Sequence, residues 1–383
     1  MVNRIVISGP ALLSDGDSLA GGQVIEAAIL IEDGIIARVA PGLEPGADVV
    51  VTDGVIAPGF VELQINGAFG VDFTTDARTI VEVSARLPAT GVTAFVPTII
   101  TSPFDGYPHR LAEAREAVGT ARGAEVLGLH LEGPYLSPRR PGAHDPGLLR
   151  AIDVDEMLAW ADPDIVRIVT LAPELPGAGS AIRALRARGI LVSVGHSNAS
   201  YEEAMAAFAA GIAWGTHLYN AMSPLGHREP GLMGALLASP VPVGLIADGI
   251  HSHPAMVKVA YRCKGADGIA IVTDAMEAMG MTPGTYRLAD RTVVVDSKVA
   301  RLADGTLAGS ILTMDAGVRN MIEFSGCTLA EALAMASATP ARLLGLSRKG
   351  RITEGCDADL TILDSAGRVT ETWVRGARVY GSA

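Results

Sequence analysis

The sequence predicts a (β/α)8 barrel joined to a small β-sandwich made from the two ends of the chain. Three observations carry this expectation. Apolar, strand-like runs alternate with helix-forming stretches between about residues 56 and 345, and eight such runs can be counted. Strict alternation of this kind implies a parallel sheet, and eight units suffice to close it. Both chain ends lack the alternation and read instead as short strands split by Gly, Asp and Pro. Finally, 49% of the 383 residues are apolar and only 19% charged, with 44 glycines and few aromatics, which suits tight helix-on-sheet packing around a large core. The alternative, an open doubly wound sheet, finds no Gly-rich phosphate loop after its first strand.

Residues 1–55 contain RIVISG, QVIEAAILIEDGIIARVA and DVVVTDG, with Glu32-Asp33-Gly34 as a hairpin signal. The tail, 346–383, repeats this character in DADLTILD, GRVTETWVRG and ARVYGSA. The two segments are assigned to one small sandwich and residues 56–345 to the barrel. The strand candidates are GFVELQIN (59–66), VTAFVPTII (92–100), AEVLGLHLEG (124–133), DIVRIVTLAPE (164–174), ILVSVGHS, IAWGTHL, VPVGLIADG and GIAIVTDA. Helix-forming TDARTIVEVSARLPAT, HRLAEAREAVG, DVDEMLAWA and GAGSAIRALRARG follow the first four. Between His196 and His217 lies a helix with readable ends: Ser200 as N-cap, Glu203 completing a capping box, Gly211 as stop. PAMVKVAYRCKG precedes the last strand. After Ala275 a β-hairpin insert near 285–306 leads to helices near 311–325 and 328–337.

The formal net charge of −12, with no basic run, argues against nucleic acid or an anionic membrane as partner. Cys263, Cys327 and Cys356 are odd in number and widely spaced, so neither a disulfide framework nor a cysteine metal knuckle follows. No span approaches the roughly 20 apolar residues of a membrane helix. A cytoplasmic location is expected.

In a barrel, catalytic groups stand where strands end at the C-terminal face. Polar residues fall at many of those ends: Gln64, Asn66, His130, Glu132, His196, His217, Asp248, His251 and Asp274. Each alone has an ordinary explanation, such as a helix cap or a satisfied core histidine. Their joint occurrence at successive strand ends does not. Glu132, His196 and His217 offer two imidazoles and one carboxylate with a position left for water, the pattern of catalytic Zn²⁺. Such an ion acidifies water and polarises a carbonyl. Asp274 is then the candidate general base, returning its proton to the leaving group. An anionic substrate would need a placed cation in so acidic a protein. Arg228, in a Gly/Pro-bounded loop, is a candidate beside the ordinary reading of a surface arginine paired with Glu229.

The chain resembles the N-acetylglucosamine-6-phosphate deacetylases of the amidohydrolase superfamily. The motifs that carry the resemblance run in order along the chain: APGFVELQING (57–67), LHLEGPYLSPRRPGAHDP (129–146), GHSNA (195–199), THLYNAM (216–222), HREPGLMGA (227–235), ADGIH (247–251), VTDA (272–275) and GTLAGSILTM (305–314). The resemblance implies that Glu132, His196 and His217 hold the metal and that Asp274 is the acid/base. It implies substrate contacts from Ala143, His144, Asn220 and Ala221. Arg228 and His251 would grip the phosphate, with Arg228, and in one arrangement also His251, reaching across a homodimer. Leu307, Ala308 and Gly309 would close on the ligand. The reaction implied is deacetylation of N-acetyl-D-glucosamine 6-phosphate to D-glucosamine 6-phosphate and acetate, in amino-sugar catabolism and cell-wall recycling.

Two positions depart from the family's pattern. Many amidohydrolases carry His-x-His after the first strand, where this chain has Gln64-Ile65-Asn66. Amides are poor ligands for transition metals, so one divalent ion per subunit is expected, Zn²⁺ first with Fe, Mn or Co as alternatives, and at most a weak second site at Gln64. His130 is expected to orient a metal ligand, and Glu62 receives no role. His253, ahead of Pro254, is read as a helix start. The rival readings are a different amidohydrolase reaction (the galactosamine epimer, a cyclic amide or a base deamination) and a non-catalytic oligomeric scaffold.

Overall fold

The computed structural model describes residues 4–15 and 18–381. Eight parallel strands form the barrel: β1 (Phe60–Ile65), β2 (Val92–Ile100), β3 (Leu129–Glu132), β4 (Val166–Leu171), β5 (Leu191–Val194), β6 (Trp214–Gly215), β7 (Val243–Leu245) and β8 (Ile269–Ile271). Each pairs with the next in sequence order. A parallel bridge between Ile65 and Ala275 brings the last strand back to the first. Every residue of β1 and β2 is buried. That explains why they read as unbroken apolar runs: helices cover the outer face and other strands the inner one.

A helix follows each strand: α1 (Ile80–Arg86), α2 (Tyr107–Thr120), α3 (Val154–Trp160), α4 (Ala178–Ala187), α5 (Tyr201–Ala210), α6 (Gly231–Ala238), α7 (Pro254–Lys264) and α8 (Met314–Ser325). The capping box of Ser200 and Glu203 forms at the start of α5, and Gly211 ends it. His253 caps α7, its ring accepting from Ala255 N–H at 3.2 Å. No described helix is long and apolar enough to cross a membrane.

The chain ends form a second sheet. Its strands are Arg4–Asp15, Ser18–Glu32, Ile35–Pro41, Val49–Val50, Val55–Pro58, Leu360–Leu363, Val369–Val374 and Ala377–Tyr380. Head meets tail where Leu360–Leu363 runs antiparallel to Val55–Pro58. The sheet has its own apolar cluster, including Ile7, Ile29, Ile31, Ile36, Leu360 and Trp373. The hairpin signal at 32–34 is a two-residue turn with positive φ at both Asp33 (49°) and Gly34 (82°), matching the twist of the strands it joins.

Several elements differ from expectation. The run 124–133 is two pieces, Glu125–Val126 and β3, broken where Gly128 takes φ 120°. IAWGTHL contributes only two strand residues, because His217 and Tyr219 turn left-handed just beyond them. The insert is a three-stranded antiparallel sheet (Gly284–Leu288, Arg291–Val295, Ala300–Arg301) rather than a hairpin. Helix α6 was not anticipated: GLMGALLA is apolar on every side and so carries no helical periodicity. Of the ARVYGSA run, Ser382 and Ala383 lie outside the described residues.

Candidate active site

Strand β3 ends in Glu132, while β5 and β6 run into His196 and His217. The two histidine strands are parallel neighbours, Val194 opposite Gly215, so both rings emerge at one rim. They leave the strands with left-handed backbone, φ 46° and 29°; Tyr219 (81°), Ala221 (50°) and Asp274 (49°) share it. Four of the nine described non-glycine residues with positive φ (His196, His217, Ala221 and Asp274) thus border one cavity, and such conformations persist only where the surrounding structure holds them.

His217 Nε2 lies 3.0 Å from Glu132 Oε1 and 3.0 Å from His196 Nε2, and His196 Nε2 lies 3.3 Å from the same Glu132 oxygen. All three residues are buried. A tetrahedral Zn²⁺ with bonds of about 2.0–2.1 Å needs ligand atoms roughly 3.3 Å apart, so these residues fit a divalent ion. His196 Nδ1 donates to the Arg140 carbonyl (3.1 Å), which leaves the Nε2 lone pair free to ligate. Burial alone would raise the Glu132 pKa. The hydrogen bonds and charges of His196 and His217 outweigh it and hold the carboxyl well below its ordinary range. Burial likewise works against protonating His217, and Glu132 reverses the shift upward.

Asp274 stands beside this trio. Its Oδ1 accepts from Asn66 Nδ2 at 2.8 Å and from Gln64 Nε2 at 3.3 Å, and the same Gln64 nitrogen is 3.3 Å from both Glu132 oxygens. Burial raises the Asp274 pKa, the direction a general base needs. Gln64 Oε1 and Asn66 Oδ1 are buried without a partner among the described residues. His144 Nδ1 bonds Thr101 Oγ1 at 2.8 Å, and burial, reinforced by His196 alongside, lowers its pKa to about 3. Only glycine serves at position 142: φ is 57°, and a Cβ would come within 2.8 Å of the His196 ring.

These groups line one cavity of about 450 Å³. Of the expected site residues, Glu132, Ala143, His144, His196, His217, Asn220, Ala221, His251, Asp274, Leu307 and Gly309 border it. Ala308 is buried behind the wall in the cluster of the insert. Gln64 sits just beneath, bonded to Glu132 and Asp274. His251 is held by Asp248, Nδ1 to Oδ2 at 2.7 Å, and Asp248 also accepts the N–H groups of Ile250 and His251. Arg228 is not brought to this cavity; it is exposed on the loop before α6. No ion pair joins it to Glu229 among the described residues. Arg139 and Arg140 line the cavity and were missed, although they stand side by side in the quoted LSPRRPGAHDP motif. The expectation for His130 needs correction. Its ring bonds Thr170 (2.7 Å) and Thr98 (3.4 Å) rather than any of the trio. Residues two apart share a strand face but lie at different depths in the barrel.

The Amidohydrolase family profile matches residues 55–379. An N-acetylglucosamine-6-phosphate deacetylase of Danio rerio is 44% identical over 342 residues, covering 85% of this chain and 84% of its own. The protein of that name from Bacillus subtilis (strain 168) is 39% identical, covering 98% and 97%. An N-acetylgalactosamine-6-phosphate deacetylase of Escherichia coli O157:H7 is also 39% identical, covering 90% and 93%. Among solved structures, a mutant N-acetyl-D-glucosamine-6-phosphate deacetylase of Mycobacterium smegmatis in complex with N-acetyl-D-glucosamine-6-phosphate superposes with TM-score 0.91 at 33% identity, covering 98% and 99%. Profile, sequence and barrel agree with the geometry at its rim: the chain belongs to the amidohydrolase family and, within it, stands among the N-acetylglucosamine-6-phosphate deacetylases.

Proposed function

We propose that this chain hydrolyses the acetamide of N-acetyl-D-glucosamine 6-phosphate, giving acetate and D-glucosamine 6-phosphate. The observation that carries this is the buried trio of ligand atoms 3.0–3.3 Å apart, with a buried carboxyl beside it in one open cavity. Glu132, His196 and His217 hold one divalent ion, Zn²⁺ by the donor set of two imidazoles and a carboxylate. When bound, the ion supplies positive charge that polarises the amide carbonyl and acidifies water. Asp274 takes the proton of the attacking water and passes it to the departing amine. The Gln64 and Asn66 amides hold its carboxyl in position. Asn220, Ala221 and His144 border the sugar's space, and Leu307 and Gly309 the opposite wall, with Ala308 buried behind it. His251, kept in orientation by Asp248, faces the phosphate. Exposed Arg228 lies outside its own cavity, which suits a homodimer in which it reaches the neighbour's phosphate.

The test is acetate release from the glucosamine and galactosamine epimers, each with and without the 6-phosphate. Preference for the phosphorylated glucosamine substrate is expected; equal rates with and without phosphate contradict the reading. Asp274→Asn should reduce turnover to background while substrate still binds. Near-normal turnover by that variant would remove Asp274 from the chemistry.

A further inference from the structure

A closed barrel needs its last strand joined to its first. Here β8 ladders to β7 and β1 to β2. Beyond that, β1 and β8 meet through backbone at their C-terminal ends, where Asp274 N–H donates to the Gln64 carbonyl (2.9 Å) and Asn66 N–H to the Ala275 carbonyl (2.7 Å). One layer deeper a side chain bridges the seam. Glu62 is fully buried; its Oε1 accepts Gln64 N–H at 2.9 Å and its Oε2 accepts Thr273 N–H at 3.0 Å. One carboxylate therefore serves an N–H from each side of the seam, and without it both would be left unpaired in the interior.

Both N–H groups adjoin Asp274. Thr273 is the residue before it, and Gln64 supplies the carbonyl that its own N–H donates to. Strand β1 is also irregular between Glu62 and Ile65, the kind of bulge that re-aims side chains. Asp274 itself stands at φ 49°, a sparsely populated conformation that its neighbours must hold.

We propose that Glu62 is a positioning residue for Asp274. Its carboxylate clamps the Thr273 and Gln64 backbones across the seam and so fixes the direction in which the Asp274 carboxyl enters the cavity. Glu62 does not line the cavity and bonds none of the metal trio. The inference rests on the deacetylase reading above. A side chain that merely fills and satisfies the interior would lower the melting temperature and leave turnover per folded enzyme alone.

The experiment compares the metal-loaded parent with Glu62→Gln and Glu62→Asp in the acetate-release assay, with melting temperature and bound metal per chain measured on the same samples. Gln offers one carbonyl oxygen and turns an NH2 toward the second N–H. Asp keeps both acceptors but withdraws them by a methylene. For a small misplacement of a catalytic group we expect kcat to fall by roughly ten- to a hundredfold, with KM within about twofold of the parent and bound metal unchanged. A kcat within about twofold of the parent in whichever variant folds, however far its melting temperature drops, overturns the proposal. A fall in kcat matched by loss of bound metal also overturns it, because Glu62 would then support the trio instead. If Glu62→Gln does not fold, Glu62→Asp carries the same outcomes. An inactive parent would refute the deacetylase reading itself, which is a different result from active variants of an active parent.

Discussion

Among the described residues, two groups have the spacing of a metal site. One is Glu132, His196 and His217 at the rim of the barrel; the other is Glu125, Asp357 and Asp359, where the barrel meets the second sheet. In the second group a cation of the chain already stands at the centre. Lys349 Nζ lies 2.6 Å from Glu125, 3.1 Å from Asp357 and 2.6 Å from Asp359. Arg348 also pairs with Asp357, and Arg375 with Glu125 at 2.6 Å. Three carboxylates meet three cations, and the cluster is an ion-pair junction. Around Glu132, among the described residues, only imidazoles come within ion-pair distance. Ligand spacing nominates both places; the compensating cation separates them.

Breaking each cluster should therefore have opposite consequences. The largest effect is expected from His217→Ala, which removes one of the three proposed ligands: bound metal per chain should collapse and turnover should fall to background. Full metal occupancy in that variant would mean the ion sits elsewhere. Lys349→Met should leave bound metal and kcat unchanged while lowering unfolding free energy by about 3–5 kcal/mol, since it strands buried carboxylates. Denaturant titration reads that loss, and a variant that instead takes up a second metal would erase the contrast. Arg228→Ala should have the smallest effect, touching neither cluster. It should raise KM for phosphorylated substrate by about ten- to a hundredfold, the worth of a charged hydrogen bond, and leave an unphosphorylated substrate nearly untouched. Equal changes for both would end its assignment to the phosphate.

The contrast also marks what the sequence could reveal. The barrel was legible because strands buried on both faces must be apolar along their whole length, so each polar residue that ends a run stands out. Glu132, His196, His217 and Asp274 are such residues. Helix α6 was not legible, since a helix buried all round has no periodicity to read. Lys349, in a Ser-Arg-Lys-Gly stretch, looks like a solvated loop residue until Glu125 arrives from more than 200 positions away. Glu62 in the middle of an apolar strand has no meaning until β1 and β8 are brought together. Arg228 is exposed and does not line its own cavity, and a single sequence does not encode where a neighbouring copy would place it.

The proposed reaction depends on one ion at the rim of the barrel. Chelator-stripped protein should release no acetate from N-acetyl-D-glucosamine 6-phosphate. Activity should return on adding Zn²⁺ and level off at one equivalent per chain. Undiminished release after complete stripping, or recovery that requires two equivalents, would contradict it.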